Sequence, residues 1–208
     1  MSTTPRRSSS PPLRSSTEQR RGDPGKASWL AEDRSRMAAE KILDAAGELF
    51  AEHGIGAVAM GDVARAAGCS RATLYRYFAD RHELHVAYVH REARRVGGLV
   101  AADAARVADP EQQLATAVLS ALRHVRDTPS LLAWFAAGDA VRTAELAQSS
   151  PVIEALGRTV VPDPLAARWV VRVVVSLLIA PGQDAAEERA MVERFVVPAL
   201  TQGVTGRS

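Results

Sequence analysis

Between Met37 and Tyr88 apolar residues return every three to four positions, and glycine interrupts the pattern twice. Ile42, Ala45, Ala46, Leu49 and Phe50 fall at i, i+3, i+4, i+7 and i+8, which predicts an amphipathic helix from Met37 to about His53 with one face in need of partners. Met60, Val63, Ala64 and Ala67 repeat the spacing in a shorter helix, and Gly68 is placed to stop it in the left-handed conformation. After a short break Ser70 is a good N-cap, and Leu74 and Phe78 set the buried side of a second short helix. Asp80 followed by Glu83 makes a capping box, so a further helix starts there, with Leu84, Ala87 and Tyr88 inward and the pattern running toward Arg95.

Beyond residue 96 the chain is a string of apolar helical segments, cut at Asp109-Pro110, Asp127-Thr128-Pro129, Pro151, Pro162-Asp163-Pro164 and Pro181-Gly182. Leu114, Val118, Ala121, Leu122 and Val125 give one inward stripe, and Leu131, Leu132, Trp134 and Phe135 a short hydrophobic segment. The run from Trp169 to Val175 is β-branched enough for a strand. Asp163 as N-cap, Pro164 at N1 and no breaker before Pro181 nevertheless make it a helix, too long for a strand. Asp184 and Glu187 cap one more helix, with Met191, Val192, Phe195 and Val196 apolar and Pro198 near its end.

The expected fold class is therefore all-α, an N-terminal three-helix helix-turn-helix domain joined to a larger helical domain. Residues 1–33, rich in Ser, Pro, Arg and Gly, are expected to be a disordered basic arm, because they hold too little apolar surface to offset the entropy of ordering. Residues 34–80 are expected to form the helix-turn-helix domain, with the motif at 59–78, and 81–208 the second domain. Arg6, Arg7, Arg14, Arg20, Arg21 and Lys26 in the arm are either a solvated tail or extra phosphate contacts.

The net charge of +2 is uninformative until divided. Lys/Arg against Asp/Glu is eight to four over residues 1–36, five to six over 37–81, and thirteen to fourteen over 82–208. The cationic excess sits in the arm and, locally, on the second short helix, since Arg65–Arg81 carries four arginines and one acid. Any αα-corner could share the helical spacing. What favours a DNA reader is the outward set Arg71, Thr73, Tyr75 and Arg76, because arginine forks suit phosphates and guanine edges. Glu40, Asp44, Glu48 and Glu52 lie four apart on the first helix, and phosphate would repel this stripe, so it is expected to point away from DNA.

Other chemistries fit less well. Gly54-Ile55-Gly56-Ala57-Val58-Ala59 matches a loose dinucleotide fingerprint but follows a helix, where a strand is required. His82-Glu83-Leu84-His85 lacks the second histidine of a metalloprotease helix, Val86 standing there, so both histidines are expected at the surface and no metal or cofactor is expected. The single Cys69 excludes an internal disulfide framework. No G-x-S-x-G and no carboxylate–histidine cluster suggests an enzyme. No membrane span is expected, since Leu165–Ala180 contains Arg168 and Arg172, and with no secretory signal the expected location is cytoplasmic.

Ile42-Leu43-x-Ala45-Ala46-x-x-Leu49-Phe50, Gly54, Met60-x-Asp62-Val63-Ala64-x-x-Ala67-Gly68 and Ser70-x-x-Thr73-Leu74-Tyr75-x-Tyr77-Phe78 together resemble the N-terminal domain of the TetR family of transcriptional regulators, over roughly residues 37–88. That resemblance implies a homodimeric repressor, released from a palindromic double-stranded DNA operator by a small-molecule effector. It puts Arg71, Ala72 and Thr73 at base-facing positions and Tyr75, Arg76, Tyr77 and Arg81 at phosphate and flanking contacts. It also pairs the last two helices with their symmetry mates, which would use the apolar excess of Val171–Ile179 and Val192–Val196. Two departures stand out: Ala59 replaces the usual Thr or Ser cap, at about 1 kcal/mol, and Gly61 offers no side chain where many relatives have one that reaches DNA. For the effector, Tyr88, His124, Trp134, Phe135 and Trp169 are the candidate lining residues, aromatic or polar groups in a mainly apolar region. A nucleoid-type DNA binder without ligand control is the alternative, disfavoured by a C-terminal region far larger than dimerisation needs.

Overall fold

The protein's structure, a computed structural model, describes residues 24–135 and 140–205, and among these there is helix and turn but no strand. The chain divides into two compact units, Met1–Met37 and Ala38–Ser208. Of the basic arm, residues 1–23 with their five arginines lie outside the described residues. The first helix, α1 (Pro24–His53), begins well before the expected Met37. Pro24 is pre-set for the first helical turn, and Ala27, Leu30, Ala31 and Glu32 are good helix formers that a search for an amphipathic stripe overlooks.

In the second unit α2 (Met60–Ala66), α3 (Arg71–Tyr77) and α4 (Arg81–Ala104) follow, then α5 (Pro110–Arg126), α6 (Pro129–Leu132), a 3₁₀ turn (Ala133–Phe135), α7 (Ala140–Ser149), α8 (Pro151–Val160) and α9 (Pro164–Ile179). The last helix runs as α10 (Ala185–Met191), a π turn (Val192–Val196) and α11 (Val197–Thr205). Pro198 cannot donate to the carbonyl four residues back, and the hydrogen-bond ladder widens in the turn before it. Ser70, Asp80, Asp109, Ser150, Asp163 and Asp184 each accept the N–H three residues on, at 2.8–3.2 Å. These caps fix the helix starts at the positions that the Ser/Asp and Pro signals predict. Helix α4 runs past Arg95 through Gly97 and Gly98. A Cβ at Gly97 would stand 2.7 Å from Cδ2 of Leu156, so the glycine is what lets α8 lie against α4.

One core runs from Ile42, Ala46 and Phe50 of α1 through Val63, Leu74 and Phe78 to Leu84, Tyr88, Val96 and Trp134, so packing continues across residue 80, where a domain boundary was expected. Tyr88, Phe50, His85 and Trp134 form an aromatic cluster. The Phe50 ring meets His85, Tyr88 and Trp134 edge-on at 5.2–5.8 Å, and Trp134 stacks on Tyr88 at 6.2 Å. A second core joins α5, α9 and the last helix through Val118, Val170, Val192, Val196 and Leu200. Val192 and Val196 are thus interior, at 0% and 5% exposure, and not the interface stripe that their sequence suggests. Their helix packs this face onto α5 within its own chain.

Charged groups tie the helices together. Glu40 and Asp44 of the acidic stripe hold Arg91 of α4 at 3.2 and 2.7 Å. Arg126 of α5 makes two hydrogen bonds of 2.7 and 2.8 Å to the buried Glu188 and a third to the Leu177 carbonyl, which pins α9 and α10 to α5. Asp103 near the end of α4 accepts from Ser120, Arg123 and His124 of α5 at 2.5–2.8 Å. The bonds from Ser120 and His124 lower its pKa from 3.8 to about 2. A carboxylate whose folded pKa is depressed stabilises the fold above its unfolded pKa and loses that contribution as pH falls through the folded value. Asp103→Asn should therefore lower the thermal midpoint at pH 7, and its gap from wild type should close between about pH 4 and pH 2. A gap independent of pH in thermal melts would remove charge from the account of this contact.

Candidate DNA-reading surface and ligand cavity

The turn between α2 and α3 is a Schellman motif. Gly68 has φ +66°, its N–H donates to the Arg65 carbonyl at 3.1 Å, and that of Cys69 donates to Ala64 at 2.9 Å. Cys69 packs partly buried against the core. Ser70 then opens α3: its Oγ accepts from the Thr73 amide at 3.0 Å and lies 2.9 Å from the Thr73 hydroxyl. At the start of α2, Ala59 has no oxygen to cap with, but Asp62 supplies the reciprocal half of a capping box by accepting the Ala59 N–H at 3.3 Å.

With Leu74 and Phe78 buried, α3 turns Arg71, Ala72, Tyr75 and Arg76 to solvent and holds Thr73 and Tyr77 half-buried. Tyr77 packs on the core, and the Arg76 guanidinium sits 5.3 Å from the centre of its ring. The four arginines divide. Arg71 and Arg76 are exposed, the Arg71 guanidinium lying over Gly61 of α2, Arg65 is paired with Asp62 at 3.0 Å, and Arg81 is turned inward. Arg81, expected at phosphate, instead donates through Nη2 to the carbonyls of Ile55 and Gly56. It therefore ties the first turn of α4 to the loop that leads into α2. Sequence cannot separate such roles, because each arginine has the same charge and similar spacing.

Above this module α4, α5, α7, α8 and α9 enclose a cavity of about 420 Å³. Its wall is apolar, including Val96 and Val100 of α4, Val118 and Ala121 of α5, Leu156 of α8 and Val174 of α9, together with Trp134 and Phe135. Among the described residues no charged side chain lines it, and apart from Trp134 its polar side chains are Gln113, Thr143 and Thr159. The donors of these three are engaged, Thr143 with the Trp134 carbonyl, Thr159 with Leu156 and the Gln113 amide with the Ala104 and Val107 carbonyls, whereas the buried Trp134 indole N–H has no hydrogen-bond partner among the described residues.

Of the five residues expected to line the cavity, Trp134 and Phe135 do, and the other three do not. Tyr88 is in the aromatic cluster facing α1, and burial raises its pKa. His124 faces Asp103. Trp169 lies on the outer face of α9, 38% exposed. The apolar residues of α4 and α8 that do line the cavity carry no distinct signal, since core and cavity positions share one helical spacing. His82 is exposed as expected, whereas His85 is buried against Phe50 and Trp134. Among the described residues no cluster of three metal-ligating side chains forms, and no helix is long and apolar enough to cross a membrane.

Residues 42–88 match the family of bacterial regulatory proteins, tetR family. An uncharacterized HTH-type transcriptional regulator of Mycobacterium tuberculosis is 46% identical over 182 residues, covering 83% of this chain and 90% of the relative. The HTH-type transcriptional repressor LfrR of Mycolicibacterium smegmatis is 30% identical over 191 residues, 84% of this chain and 92% of LfrR. Among solved structures, RolR in complex with resorcinol superposes with a TM-score of 0.65 at 16% identity, over 85% of this chain and 97% of RolR. A TetR transcriptional regulator from Rhodococcus sp. RHA1 gives 0.60 at 21% identity, over 85% and 100%. At these identities the two structures speak for the fold alone.

Proposed function

Because the chain belongs to the TetR family of bacterial regulatory proteins, whose members are DNA-binding transcriptional regulators and not enzymes, we propose that it is a cytoplasmic homodimeric repressor released from a palindromic operator by a small molecule. The observation that carries the reading is the double attachment of α4. One end is bonded to the loop before α2 through Arg81, and its middle is a wall of the cavity. A ligand that moves α4 must then move the DNA reader. Arg71, Ala72 and Thr73 face bases, and Tyr75, Arg76 and Tyr77 meet backbone; Arg81 is a hinge pin in this scheme.

The cavity sets the effector's chemistry. Among the described residues its wall is largely apolar and uncharged, so it suits a largely apolar molecule. LfrR, 30% identical, is described as a repressor, which supports the repressor part of the scheme.

Dimerisation is assigned to the outer faces of the last helices. Leu165 is 70% exposed and Phe195 65%, and Trp169 and Ile179 are also in solvent, which leaves large apolar groups open on α9 and on the π turn. Duplexes selected from a randomised library should carry two inverted half-sites whose centres lie about 34–36 Å apart. Trp169→Glu combined with Phe195→Glu should give soluble monomers in sedimentation that hold this duplex weakly. A double variant that remains a dimer would move the interface elsewhere, and selection of no palindrome would count against the repressor reading.

A further inference from the structure

Position 61 has no side chain, and the space is in use. Gly61 is the second residue of α2, and a Cβ built on it would stand 2.6 Å from Nη2 of Arg71, 3.0 Å from Nε and 3.1 Å from Cζ. The guanidinium of the first residue of the recognition helix thus lies against the backbone of the preceding helix. Nothing in the backbone asks for glycine there: among the described residues the positive φ angles are at Gly54 and Gly68, and α2 is an ordinary helix at Gly61. Glycine within a helix costs stability relative to alanine, so its presence has to be accounted for by what it permits. What it permits is the seat of Arg71. The acid of α2, Asp62, is meanwhile occupied by Arg65 and by the Ala59 amide, so it leaves the Arg71 fork to DNA.

We propose that Gly61 is a specificity-determining position of the DNA-reading surface, acting by holding open the seat that aims Arg71 at a base edge. The inference rests on the repressor reading above and adds to it that two helices share one contact. An arginine fork matches O6 and N7 of guanine, so the pair reads a G·C base pair in each half-site. The missing side chain at position 61 and the arginine at 71 are one recognition unit. Each is of little use without the other.

The probe is the duplex selected by the wild-type protein from a randomised library, together with copies changed at each G·C pair of the half-site. Because Gly61→Ala pushes only the free end of a flexible side chain, it should fold with a thermal midpoint no lower than wild type. It should nevertheless bind the selected duplex more weakly by roughly 5–150-fold, the range of one bidentate base contact. Arg71→Ala should show the same loss at the same base pair, with discrimination there gone. The double variant should be no worse than either single one, since both remove one contact. Losses that multiply in the double variant, or a Gly61→Ala loss spread evenly over all duplexes, would overturn the coupling and leave the repressor reading intact. Failure of the wild type to enrich any sequence would sink both.

Discussion

Trp134→Ala is expected to destabilise the protein by about 3–5 kcal/mol, the range for truncating a large aromatic side chain in a core. Trp134 is 3% exposed and has three aromatic neighbours: it stacks on Tyr88 and meets Phe50 and His85 edge-on. Such pairs add to burial, because ring edges are positive and ring faces negative. Collapse around the truncated site is restricted, since Phe50 belongs to α1, His85 and Tyr88 to α4, and Gly47 already admits the Tyr88 ring at 3.0 Å from where a Cβ would be. The lost volume would instead merge with the apolar cavity, which Trp134 borders. Urea unfolding at fixed protein concentration measures the effect, with Leu132→Ala, exposed on the neighbouring turn, as a control expected within about 0.5 kcal/mol of wild type. A loss under about 1 kcal/mol for Trp134→Ala would mean that the cluster is not the joint between the DNA-binding helices and the rest.

The double role of Trp134 also shows where sequence reasoning reaches and where it stops. Helix starts were legible because a cap is a local device: Ser70, Asp80, Asp109, Asp163 and Asp184 bond within three residues of themselves. The two short helices around Gly68 were legible for the same reason. Partnerships between distant residues were not. Val192 reads as an apolar stripe whether it faces α5 or a second subunit, and only packing assigns it to the core. His124 reads as a polar group fit for a pocket, yet Asp103, 21 residues away, holds it. Arg81 and Arg76 have the same charge and neighbouring positions, but one is bound to the Ile55 and Gly56 carbonyls and the other reaches solvent. Gly97 carries no local reason for its place within α4, and only the packing of Leu156 against it supplies one. Aromatic residues drew attention as pocket candidates because they are conspicuous, whereas the cavity is built largely of Val, Leu and Ala.

The cavity can be filled without knowing its ligand. Ala121 lines the 420 Å³ space from α5, and α4 forms another of its walls, so Ala121→Trp places an apolar ring where an effector would sit. Such a variant is expected to fold as a dimer with an overpacking cost of about 1–3 kcal/mol, and to bind the selected operator duplex about 5–150-fold more weakly, the span of a 1–3 kcal/mol coupling. The direction follows from the attachments of α4. A group that pushes α4 outward carries Arg81 with it, Arg81 carries the loop at Ile55 and Gly56, and that loop leads directly into α2. Recognition helices that must enter successive major grooves of one duplex tolerate little change in separation, so the state favoured by filling is disfavoured by DNA. By linkage, a natural ligand that loosens the operator by some factor must itself bind the DNA-free protein tighter by the same factor. Gln112→Trp, exposed on the same helix and outside the cavity, supplies the control for a bulky ring that fills nothing. Both variants are compared by sedimentation for dimer content and by titration of the duplex for affinity. If Ala121→Trp remains a folded dimer and binds the duplex as tightly as Gln112→Trp and wild type do, the cavity is uncoupled from the DNA surface and the helices beyond α4 serve dimerisation alone.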